Sequence, residues 1–103
     1  MLICMKNKHI ANLVDKWQKK GVSDLDFLAT LFASFDTKRD LSELIVSLLT
    51  KQERKMLATR LLIIKKLKDN VPQHEIAKQL KVGVLTVTRG YKEIEKGRFK
   101  FIS

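Results

Sequence analysis

Residues 73–94, QHEIAKQLKVGVLTVTRGYKEI, have the spacing of two short helices that cross at a tight turn. Ala77 is the small residue that such a crossing needs in its first helix. Ile76, Leu80, Val82, Val87 and Ile94 stand at the offsets where apolar contacts lock the two helices together. Between them Lys81–Gly83 supplies the turn. Glycine is common where this chain has Lys81, and a left-handed backbone there costs lysine about 1 kcal/mol. The pattern predicts a helix-turn-helix, in which the second helix lies in the DNA major groove with its N-terminal residues toward base edges. Thr86, Thr88, Arg89 and Lys92 give that helix a polar, basic face, and Lys65, Lys66, Lys68, Lys78 and Lys81 lie close in sequence. A purely structural helical hairpin is the competing reading, and this basic surround weighs against it.

Working toward the N-terminus, Thr50 and Glu53 form a T-x-x-E capping box ahead of a helix that runs to about Lys68. Met56, Leu57, Leu61, Ile64 and Leu67 fall on one side of it. Asp69–Val71 interrupt the pattern, and Pro72 suits the first turn of the next helix, which ends near Leu80. The last helix starts near Val84, runs to Lys96 and is closed by Gly97. Upstream, residues 7–20 read as a helix through Ile10, Leu13, Val14 and Trp17, ending at Gly21. Ser23, with Asp26 three residues on, caps a second helix whose stripe is Leu28, Leu31, Phe32 and Phe35. A short helix over about 40–49 carries Leu41, Leu44, Ile45, Leu48 and Leu49 around most of its circumference. Such a helix expects to be buried, and a second subunit is one source of cover. The fold class expected is all-α: a helical bundle with a helix-turn-helix, within one domain of 103 residues.

Charge narrows the partner. Residues 1–50 hold 7 basic and 6 acidic side chains, whereas residues 51–103 hold 14 and 5. A basic half of this kind suits a polyanion, either nucleic acid or an anionic membrane surface. No apolar run reaches the roughly 18 residues of a membrane span. The start, MLICMKNKH, puts its charges after a very short apolar stretch, the wrong order for a signal peptide. Cys4 is the single cysteine, which excludes an intrachain disulfide and a cysteine-based zinc site and fits a reducing compartment. A soluble intracellular protein is expected. His9 and His74 have no ligand partners at metal spacing and read as surface residues, so no metal is expected. Nothing pairs a nucleophile with a base or forms a phosphate-binding glycine loop, so an enzyme is not expected.

The stretch Leu49–Gly90 resembles the tryptophan repressor family. The pieces that carry the resemblance are LT-x-x-ER from Leu49, Thr59–Arg60, Gln73-x-Glu75 and the T-x-TRG ending at Gly90. The resemblance implies an interleaved homodimer, with about 7–69 as dimerisation core, about 72–96 as reading head and 97–103 as a tail. It implies a bacterial, cytoplasmic, sequence-specific repressor of double-stranded operator DNA, with L-tryptophan as the possible corepressor and no other cofactor. Ligand roles carry over to Thr50, Arg60, Thr86, Arg89 and Gly90, with Glu93 where the family has a small serine facing the ligand amino group. DNA-facing roles carry over to Gln73, His74, Val84, Leu85, Thr86, Thr88 and Arg89, with Lys78 and Lys92 near phosphates. Two arginines flanking an indole make physical sense, since a guanidinium stacks on an aromatic face and pairs with a carboxylate. Glu93 has two readings: it pairs the ammonium of an amino acid, or it crowds the pocket and repels the ligand carboxylate. The helix that normally follows the recognition helix is replaced by RFKFIS, in which Phe99 and Phe101 alternate with Arg98 and Lys100; docking on the dimer, contact with DNA and fraying are the three readings of this tail, with fraying the default. Two alternatives remain at this point. One is a ligand-independent DNA-binding regulator of the same fold; the other is a basic helical adaptor for another polyanion.

Overall fold

The computed structural model describes residues 2–103, with side chains described from Ile10 onward except that of Lys20. The expectation for His9 therefore lies outside the described side chains. Six helices follow one another: α1 (Leu2–Lys20), α2 (Asp24–Ala33), α3 (Lys38–Leu48), α4 (Lys51–Lys68), α5 (Gln73–Leu80) and α6 (Val84–Glu95). They divide into two compact units, one ending at Leu48 and one spanning Leu49–Ser103.

In the first unit α1 packs against α2. Helix α1 starts five residues earlier than the apolar spacing predicts, because no glycine or proline precedes Gly21 to stop it. Gly21 then takes φ +65°, the left-handed conformation that closes a helix. Ser23 caps α2 as predicted, its Oγ accepting from the Asp26 amide at 3.1 Å. Trp17 stacks on Phe27 with ring centroids 5.3 Å apart, and its indole N–H donates to Asp24 at 3.0 Å. The predicted stripe of α2 is only partly covered. Leu31 is buried and Phe35 half-buried, while Leu28 and Phe32 stay exposed. Within the single chain none of the residues of α3 is buried, and Val46 and Leu48 are exposed, so the cover expected for this helix is not supplied by the chain itself. A helix that is apolar on most sides exceeds the cover one short chain can give.

The second unit contains the site. Thr50 and Glu53 form the predicted capping box, Thr50 Oγ1 accepting from the Glu53 amide at 3.1 Å and Glu53 Oε1 accepting from the Thr50 amide at 2.8 Å. Pro72 stands just before α5 rather than within its first turn, its carbonyl accepting from the Glu75 and Ile76 amides. Lys81 does adopt the left-handed conformation, φ 56° and ψ 46°, where glycine is usual. The strain is offset where the turn closes: the Val82 amide donates to the Ala77 carbonyl at 3.1 Å. Ile63, Ile76, Ala77 and Val87 make the buried core, with Leu67, Val71, Leu80 and Val82 packed on it. Burying each larger side chain contributes about 1.5–3 kcal/mol. Four of the five locking residues thus belong to this core, and Ile94 is half-buried.

The segment after α6 does not fray. Gly97 (φ +87°) and Phe99 (φ +60°) reverse the chain, and the Ile102 amide donates to the Phe99 carbonyl at 3.1 Å. Lys68, half-buried at the end of α4, donates its ammonium to the carbonyls of Phe99 and Ile102. Three carbonyl and amide groups that fraying would leave to water are satisfied internally.

Candidate nucleic-acid interface and adjoining cavity

Helices α5 and α6 are tied at their N-terminal ends by side chains. The Thr88 hydroxyl donates to Gln73 Oε1 at 2.9 Å, with the Val84 carbonyl at 3.1 Å as an alternative acceptor. Thr88 is half-buried, so its oxygen acts within the head and fixes Gln73. His74, Lys78, Val84, Leu85, Thr86, Arg89 and Lys92 are all exposed. Leu85 is 75% exposed, an apolar residue left to water at the start of α6. The predicted DNA-facing set is therefore brought to the open surface of the two helices, apart from Gln73 and Thr88, which brace each other.

Behind this surface is a cavity of about 820 Å³. Arg60 and Thr59 of α4, and Thr86, Arg89, Gly90 and Glu93 of α6, line it together with Gly83 of the turn. Gly90 lets the helices approach: a Cβ there would stand 3.3 Å from both Ile63 Cγ2 and Ile64 Cδ1. Of the six predicted ligand residues, five line this cavity. Thr50 does not; its side chain is engaged in the cap of α4.

Four cations, Lys55, Arg60, Arg89 and Arg98, line the cavity against one lining carboxylate, that of Glu93. Glu93 Oε2 lies 3.6 Å from Lys96 Nζ and 3.7 Å from Arg98 Nε. That oxygen is shielded from solvent yet accepts no hydrogen bond. Met56, Phe99 and Phe101 add apolar surface. Arg98, Phe99 and Phe101 fall outside the ligand set expected from the sequence, because a short tail after a glycine carries no periodicity. The alternation of Phe99, Lys100 and Phe101 was the available signal. Among the described residues, no three His, Cys, Asp or Glu side chains gather as a metal site. Among them, too, no helix is long and apolar enough to cross a membrane.

A short helix, a left-handed turn and a second helix with an exposed polar face define a helix-turn-helix protein. Comparison with known families goes further: a family model described as Trp repressor protein matches residues 23–102, and the chain belongs to that family. No curated protein and no solved structure gives a significant match. Membership makes the chain a DNA-binding transcriptional regulator and not an enzyme. It also sets aside the reading as an adaptor for another polyanion.

Proposed function

We propose that this regulator is a sequence-specific repressor of bacterial cytoplasmic genes, acting as a homodimer under the control of a small-molecule corepressor, with L-tryptophan the candidate. The observation that carries the effector reading is the shared cavity of Arg60, Thr86, Arg89, Gly90 and Glu93. Thr86 and Arg89 also belong to the recognition helix, so a ligand touching them bears on the DNA-reading surface. Arg60 and Arg89 flank the aromatic body of the ligand, and one of them pairs with its carboxylate. Glu93 stands at the cavity where it meets the ammonium only in competition with Lys96 and Arg98. Ligand binding favours head positions that match successive major grooves, roughly 34–36 Å apart, by shifting a pre-existing equilibrium.

On the DNA side, His74, Val84, Leu85 and Thr86 face the bases, with Arg89 beside them and Lys78 and Lys92 at phosphates; Gln73 and Thr88, which the resemblance puts among the base contacts, brace the two helices behind them. The exposure of Leu85 supports this, because an apolar side chain in the major groove meets thymine methyl groups. The homodimer is supported by apolar side chains left open on α3 and α4, among them Val46, Leu48, Met56, Leu57, Leu61 and Leu62. Residues of about 7–69 supply its interleaved core and 72–96 its reading heads. A second reading keeps DNA binding without a ligand. The pairing of Glu93 with Lys96 and Arg98 favours it, since a carboxylate whose charge is already balanced has less to offer an ammonium.

Isothermal calorimetry with L-tryptophan separates the two. One ligand per chain, together with tighter operator binding in its presence, is the expected result; no heat at several temperatures from folded protein selects the ligand-independent reading. Replacing Arg89 with Ala is expected to weaken both ligand and DNA binding by about tenfold or more, the effect of losing a charge-assisted contact. An unaffected Arg89→Ala protein removes this residue from both sites.

A further inference from the structure

The cavity has a wall that the family resemblance does not supply. Residues 98–102 fold back after Gly97, and three of them, Arg98, Phe99 and Phe101, line the same space as Arg60 and Arg89. The rings of Phe99 and Phe101 meet at 54° with centroids 5.9 Å apart, forming an aromatic corner. Phe101 is 79% exposed, so its ring is held at the cavity without being a core residue. What holds the segment lies outside the cavity: Lys68, which is not a lining residue, bonds the Phe99 and Ile102 carbonyls.

Arg98 has a second effect. Its Nε is 3.7 Å from Glu93 Oε2, opposite the single carboxylate of the lining. With that carboxylate balanced, the remaining lining charge is positive.

We propose that residues 98–102 are the ligand-selecting wall of this cavity: Phe99 and Phe101 supply an aromatic face, and Arg98, which together with Lys96 balances Glu93, makes the site one for an aromatic organic acid rather than an aromatic amine. The inference rests on the effector reading above and extends it to a segment that reading leaves without a role. Arg98 is a selectivity residue, and Lys68 a positioning residue that acts through the segment it anchors.

The test compares two probes of equal ring size, indole-3-propionate and tryptamine, by calorimetry on the full chain, with helical content checked by circular dichroism. The wild-type protein is expected to favour the acid. Phe101→Ala, at an exposed position, weakens the acid by roughly three- to tenfold, the scale of one aromatic contact. Arg98→Gln lowers the acid-to-amine affinity ratio by about tenfold, because it removes one lining cation and leaves Glu93 balanced only by Lys96, which is outside the lining. A residue that only braced the fold would weaken both probes alike and leave the ratio unmoved. Lys68→Met reproduces both changes and speeds amide exchange at Ile102, whose hydrogen bond belongs to the anchored turn. Wild-type preference for tryptamine, or an acid affinity and ratio unchanged in all three variants, overturns the selecting wall while leaving an effector site. Binding of neither probe, nor of L-tryptophan, removes the effector reading and the wall with it.

Discussion

A methyl group placed on Gly90 would press against two fully buried isoleucines, Ile63 and Ile64, and lie 3.6 Å from Leu67. Gly83 has nothing within 4 Å, so the two glycines of the head differ in kind. For Gly90→Val, helix propensity and packing oppose each other. Leaving glycine gains under about 1 kcal/mol in a helix interior, whereas forcing extra carbon atoms into a closed contact costs typically 1–3 kcal/mol. Packing wins, because Ile63 and Ile64 are held on all sides. Chemical denaturation should show Gly90→Val destabilised by about 1–2 kcal/mol; equal or greater stability would mean that α4 and α6 separate easily. Sequence spacing did not reveal this contact. It marked Gly90 through the T-x-TRG resemblance, but which α4 residues face it depends on the crossing of two helices far apart in the chain. Lys81 is the opposite case: its turn was legible because its neighbours on both sides are apolar at fixed offsets.

Among the elements, α4 was the most legible because its start is written locally. The Thr50–Glu53 box needs only four residues, and both of its hydrogen bonds form. The Thr50 amide, and then its hydroxyl, hold the Glu53 carboxyl below its ordinary value. A carboxyl whose pKa is lowered by folding contributes stability above its unfolded pKa and loses it as pH falls through the folded one. Glu53→Gln should therefore flatten the acid side of the stability curve, in a window beginning at about pH 4–5 and extending lower. Melting temperatures taken down that range check it, and parallel curves for the two proteins would show that the box carries no pH dependence. Helix α3 marks the limit of this legibility. Its apolar residues, Leu41, Leu44, Ile45 and Leu48, predicted a helix correctly, but which surface covers them is something that the pattern cannot specify. The 98–102 turn was illegible for a related reason. Its anchor, Lys68, lies 31 residues before Phe99, and nothing local links them.

For the molecule as a whole, the uneven charge of the sequence becomes a quantitative expectation about DNA. The half from residue 51 onward, with 14 basic and 5 acidic side chains, contains the helix-turn-helix, and Lys78 and Lys92 are exposed on its two helices. Each phosphate neutralised by a lysine releases condensed counterions, and the slope of log affinity against log salt steepens by about 0.9 per contact. This electrostatic contribution does not depend on base sequence, so a duplex of arbitrary sequence suffices to measure it. Replacing both Lys78 and Lys92 with Gln should make that slope shallower by about 1.8 for each chain bound, hence by about 3.6 if the proposed homodimer places both heads on one duplex. The measurement thus reads the number of heads engaged as well as the roles of the two lysines. Titrations between about 50 and 200 mM salt span the range in which such contacts dominate. A change near 1.8 would mean that a single head is engaged. An unchanged slope would take both lysines off the phosphates and leave the exposed polar face of α6 to carry the contact without them.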